Sequence, residues 1–97
     1  MENYEEKIAQ AIATPTDKNL SANAPVIAMF LAPFRPILPP RDNGDNMTSA
    51  EIKMALEDVT EVTLNEITEV MLYLGYRLHQ NSYNGIEWAM YHPEVEE

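Results

Sequence analysis

Between Met47 and Tyr91 the apolar residues recur first at helical spacing and then at strand spacing. Ile52, Ala55, Leu56 and Val59 share one helical face, and Met54 falls off it. Thr48 and Glu51 stand at the two positions of a capping box, with Met47 and Ile52 at the hydrophobic-staple positions, so the spacing predicts a helix over 49–57. The device repeats at once. Thr63 and Glu66 form a second box, Val62 and Ile67 a second staple, and Leu64, Ile67, Val70, Met71 and Leu74 a buried side. Gly75 stands where a helix ends on a positive φ, giving a second helix over 64–74. Beyond it the period becomes two. Tyr76, Leu78 and Gln80 face one way and Arg77 and His79 the other; NSYNG turns the chain; Ile86, Trp88 and Met90 alternate with Glu87, Ala89 and Tyr91. That pattern predicts a β-hairpin with an aromatic-rich inner face packed on the helices, ended by Pro93 and an acidic EVEE tail.

Upstream the pattern is thinner. Tyr4, Ile8, Ala11 and Ile12 share one side of a helix over 2–13 that Pro15 ends, with Glu2, Glu5 and Glu6 at its positive end. TPTDKNLSA reads as a linker. Residues 23–32 are the most apolar run, read as a short helix capped by Asn23 with Pro25 in its first turn; ten residues also allow a strand. Val26, Ile27, Phe30 and Leu31 would make its face. PFRPILPPRDNGDN is too rich in proline for a helix. Its PILPP centre should be extended, either a ligand for an aromatic-lined module or a stiff connector wrapping the domain, with a tight turn at DNGDN.

The helix at 2–13 and the run at 23–32 each need a partner surface. One of the two should close a three-helix core with the capped pair and leave the other spare, which makes a homodimer an expectation.

Composition adds three constraints. There is no cysteine, hence no disulfide and no thiolate metal site. No apolar run is long enough to span a membrane, and the first residues lack a signal peptide's basic start, so a cytoplasmic protein without a membrane partner is expected. The net charge is −10 and lopsided: residues 1–47 carry six acids and four bases, residues 48–97 ten acids and two bases, Lys53 and Arg77.

Two capped helices joined by so short a connector cross closely, as in a helix-turn-helix. TSAEI at 48–52, TLNEITEVMLYLGYR at 63–77 and NGIEWAMY at 84–91 resemble a winged helix-turn-helix domain, similar to those of phage and mobile-element proteins, including the C-terminal winged helices of primase-helicases like the virulence-associated E family. The expected fold class is therefore α+β: a winged helix-turn-helix domain over 47–92 with a C-terminal β-hairpin, preceded by a helical and proline-rich extension over 1–46. The resemblance implies a DNA-binding regulator or replication accessory factor whose second capped helix enters the major groove. By that resemblance the contacts would be Asn65, Glu66, Thr68 and Glu69, with Tyr73 and Arg77 further along and Ser82, Tyr83 and Asn84 in the wing. No lysine or arginine lies between Lys53 and Arg77, and the wing loop carries no charge. Phosphate neutralisation supplies much of DNA affinity. The charge points instead to an acidic protein–protein interaction module, with Tyr73 and Tyr83 as anchors, or to a DNA-mimic inhibitor. A route to DNA stays open if Lys18, Arg35 and Arg41 gather beside Lys53 and Arg77.

No catalytic chemistry is apparent. There is no phosphate loop and no serine in a nucleophile-elbow pattern. His79 and His92, the only histidines, do not make a zinc site, and the acid spacing in DNGDN does not match a calcium loop. A non-enzymatic protein without metal or cofactor is expected.

Overall fold

The computed structural model describes residues 3–40, 45–81 and 85–93. Among these, the elements run α1 (Tyr4–Ala13), a 3-10 turn (Thr16–Lys18), α2 (Ala24–Leu31), β1 (Arg35–Pro36), α3 (Ser49–Leu56), α4 (Leu64–Leu74), β2 (Leu78–Asn81), β3 (Gly85–Trp88) and β4 (Met90–Tyr91). The class is α+β.

Helix α1 starts at Asn3, whose side-chain Oδ1 accepts from the Glu6 amide at 2.8 Å. It packs on α2 and α4 through a narrow stripe of Tyr4, Ile8 and Ala11, which leaves Ile12 exposed although the pattern put it on the buried side. The stretch at 14–22 is more than a linker. After the 3-10 turn, Asn19 adopts a left-handed φ of 59° and Leu20 drops into the core. A lone leucine among polar residues has no periodicity to announce it.

The apolar run at 23–32 is helical, with Ala24, Ile27, Ala28 and Leu31 buried. Asn23 sits at the N-cap position but does not cap. Its Nδ2 instead donates to the Glu61 carbonyl (3.3 Å) and to Glu66 Oε2 (3.0 Å), 38 and 43 residues away. At its other end α2 has neither a glycine stop nor a basic residue in its last turn. Side chains supply the missing donors there: the Tyr4 hydroxyl to Leu31 O (2.7 Å) and Arg35 Nη1 to Ala32 O (2.9 Å). Arg35 also stacks over the Tyr4 ring, 4.6 Å from its centre.

Both predicted capping boxes close, each with threonine hydroxyl and glutamate carboxylate bonding reciprocally to the backbone. α3 ends at Leu56, and Gly75 ends α4 at φ 97°. One core joins α1, α2, α3 and α4 to Tyr76, Trp88 and Met90. Neither upstream helix is spare: α1 and α2 touch each other and both touch α4. Ala55 and Val59, assigned to the buried face of α3, are exposed, as is Leu64 at the start of α4. The faces α3 and α4 bury are narrower than the apolar pattern; Ile52 and Leu56 suffice for α3, and Ile67, Val70, Met71 and Leu74 for α4.

The hairpin pairs Leu78 with Trp88, His79 with Glu87, Gln80 with Ile86 and Asn81 with Gly85. The chain then switches partner. Met90 and Tyr91 pair antiparallel with Pro36 and Arg35, and the Ile37 amide donates to Ala89 O at 3.1 Å. The first two residues of PILPP are thus used internally, with Ile37 buried and Leu38 exposed. Met47 bridges to Trp88. These contacts overturn the predicted alternation. Glu87, Trp88, Ala89 and Met90 are buried in succession, while Leu78, Gln80 and Ile86 are exposed. A strand covered on both faces loses its alternation. Here one side faces the helices, where the Trp88 indole N–H donates to Ser49 Oγ at 2.9 Å; on the other, Asn46 Nδ2 reaches Glu87 Oε1 at 3.4 Å. The turn predicted at DNGDN lies mostly outside the described residues, but its end caps the ribbon. Asn46 Oδ1 accepts from the Met90 amide and Asp45 Oδ2 from the His92 amide, each at 2.9 Å.

Candidate functional site

The second capped helix positions six of the nine residues that the sequence singles out or lies next to them. Asn65 and Glu69 are exposed on α4, one turn apart on the same side. Thr68 is half-buried and its hydroxyl donates to Leu64 O at 2.9 Å, so its hydrogen is used within the helix. Glu66 has both carboxylate oxygens in hydrogen bonds. Its Oε1 accepts from the Thr63 amide at 2.8 Å and its Oε2 from Asn23. The amide of Thr63, then hydrogen bonds from Ser21 and Asn23, hold its carboxyl below the usual range against a smaller opposing effect of burial. Tyr73 is half-buried against the core, with its hydroxyl donating to Gln10 Oε1 on α1 at 3.2 Å. It fastens one helix to another. Arg77 is exposed, and its Nη1 donates to the Tyr76 carbonyl at 3.0 Å. Ser82, Tyr83 and Asn84 lie outside the described residues.

The exposed side of α4 carries two residues that the pattern missed as surface. Leu64 is 49% exposed and Leu72 52%. Leu64, Thr68 and Leu72 follow one another at steps of four, flanked by Asn65 and Glu69, so the presented stripe is apolar with one amide and one acid. The signal was present in the sequence: a leucine at each end of the helix, offset from the Ile67–Val70–Met71–Leu74 side. At the start of α4, Lys53, Glu61, Val62, Thr63, Leu64 and Asn65 line an open groove of about 420 Å³. One base, Lys53, and one acid, Glu61, share its lining with Asn65.

Arg35 is committed to Ala32 O and Phe34 O and lies 3.8 Å from Glu5. Arg41, a further member of the suggested patch, lies outside the described residues. Among the described residues no group of three or more His, Cys, Asp or Glu side chains is placed to hold a metal ion, and no helix is long and apolar enough to cross a membrane.

What these contacts define is a small α+β protein with an apolar, weakly acidic stripe along its second capped helix. No protein-family model, curated protein or solved structure matches the chain.

Proposed function

We propose that this chain is a non-enzymatic winged-helix protein whose second capped helix docks another protein rather than DNA. The order of elements supports the winged reading. A bridging residue, Met47, precedes α3 and α4, a hairpin follows them, and Met47 pairs with the hairpin's returning strand at Trp88. The observation that carries the functional half is the outer side of α4. Leu64 and Leu72 stand open beside Asn65 and Glu69, with no lysine or arginine anywhere from residue 54 to 76. Apolar side chains ringed by polar ones are what a protein interface uses at its centre, whereas phosphate needs cations.

A second reading, a DNA-binding regulator or replication accessory factor, draws on the groove shared by Lys53 and Asn65. Early residues of a recognition helix contact bases, and asparagine bonds to adenine. A salt series of binding to labelled duplex DNA separates the two. The protein-docking reading expects no association even at low salt. An association that weakens with salt and is lost in a Lys53→Ala, Asn65→Ala double variant would establish the DNA reading instead. The positive test is Leu72→Asp: a partner captured by the wild type should be lost by this variant, whose fold far-UV circular dichroism checks.

A further inference from the structure

A second surface, between α2 and α3, is independent of that reading. Val26, Met29 and Phe30 of α2, with Ala55 and Leu56 of α3 and Val59 just past its end, line an apolar groove of about 330 Å³. Its lips stand in water: Met29 is 63% exposed and Val59 70%. The volume falls in the range of ligand-binding clefts, roughly 300–1,000 Å³. A groove between two helices takes the apolar face of a third, read at i, i+3 or i+4, and i+7. Methionine at the lip is a flexible side chain that reshapes around such an occupant.

The charge around the groove selects the occupant. Residues 19–34, which include the whole α2 wall, hold no charged side chain. The α3 wall ends in Glu57 and Asp58, both exposed, just before Val59. A helix C-terminus adds partial negative charge at the same place. The one base on α3, Lys53, belongs to the other groove, beside Glu61 and Asn65. A second copy of this chain would bring another net −10 to an acidic lip. We infer that the groove docks a basic amphipathic helix of a partner protein. Its apolar face fills the space between α2 and α3, and its lysines or arginines lie over Glu57 and Asp58. The α2 wall is 8 residues long, about 12 Å at 1.5 Å per residue, so roughly two turns of the partner make contact.

The probe is a designed peptide of about 20 residues, beyond the length at which isolated helices are marginal in water, with leucines at i, i+4 and i+7 and lysines interspersed with alanines elsewhere. Two controls accompany it: the same composition scrambled to destroy the face, and the same face with glutamates for lysines. Fluorescence anisotropy should show the designed peptide binding at least about tenfold more tightly than either control, a difference of one decade in Kd. Val59→Asp and the milder Met29→Gln should each weaken it about tenfold, while Leu72→Asp on α4 leaves it unchanged. Both substituted positions face solvent, and circular dichroism with Trp88 emission verifies that each variant is folded. Four results would overturn the proposal. They are equal binding of the scrambled peptide, which is charge attraction alone; no effect of Val59→Asp and Met29→Gln; loss on Leu72→Asp; and a concentration-dependent dimer that Val59→Asp abolishes, which makes the occupant a second copy.

Discussion

Helices α3 and α4 begin with the same four-residue device, and it is used differently in each. In α3 the box is local: Thr48 and Glu51 bond to each other's backbone, Glu51 faces water, and the tie to the rest of the fold comes from Ser49, whose Oγ accepts from the Trp88 indole. In α4 the glutamate has a second role. One oxygen of Glu66 completes the box and the other accepts from Asn23 at the start of α2. A capping motif therefore guarantees a helix start and says nothing about what the start is fastened to. α3 is held to the hairpin, α4 to α2.

The widest test of that contrast removes the α3 fastening. Trp88→Ala takes away the largest fully buried side chain and the donor to Ser49, and should cost about 3–5 kcal/mol by urea denaturation. A loss near that of a surface change would show that the hairpin does not anchor α3. Next comes the glutamate pair. Glu66→Ala should cost about 1 kcal/mol, because it loses the box and the bond from Asn23, against about 0.5 kcal/mol for Glu51→Ala, which loses only a dipole and box interaction. Equal costs would erase the distinction. A double-mutant cycle of Asn23→Ala and Glu66→Ala should show coupling of at least about 0.5 kcal/mol, since the side chains touch; additive losses would mean that the cross-link carries no energy.

The smallest effect is in pH. The carboxyl of Glu66 is held below its ordinary value in the folded chain, so the folded state binds the proton less readily than the unfolded one. Its contribution is complete at neutral pH, begins to fade as pH falls through the ordinary value of 4.5, and is gone below the depressed one. The urea midpoint of the wild type should therefore approach that of Glu66→Gln as pH drops below 4.5. A gap that stays constant with pH would assign the stabilisation to shape rather than charge.

The sequence made α3, α4 and the Gly75 stop legible because each depends on residues within one turn of one another. It did not make legible anything joined across the chain. Asn23 looked like a cap for its own helix and is spent on α4, 43 residues on. Pairing of Arg35–Pro36 with Met90–Tyr91 involves two residues a side, too few to carry a pattern. Periodicity also cannot separate a core position from a groove position. Ala55, Val59 and Leu64 carry the right residue types for burial and stand in the open. For the site, Asn65 and Glu69 were placed correctly on the exposed side of α4, while Glu66 and Tyr73 turned out to hold helices together. Of the two apolar ends of the stripe, Leu64 carries the spacing of the buried side and Leu72 lies off it, and both stand exposed.

The hydroxyl pair under Arg35 has a practical consequence. Tyr4 has one proton to give, and it goes to the last carbonyl of α2 at Leu31; the Tyr76 oxygen lies 2.6 Å from the Tyr4 oxygen, so Tyr76 must be the donor in that second contact. The direction of the relay is thus fixed, from the residue after Gly75, through the first turn of α1, to the end of α2. A fragment begun at Met47 to isolate the two capped helices and the hairpin would strip Tyr76 of its partner and expose the side of α4 that α1 and α2 cover. A cut just before Met47 therefore leaves an unfinished surface on both pieces.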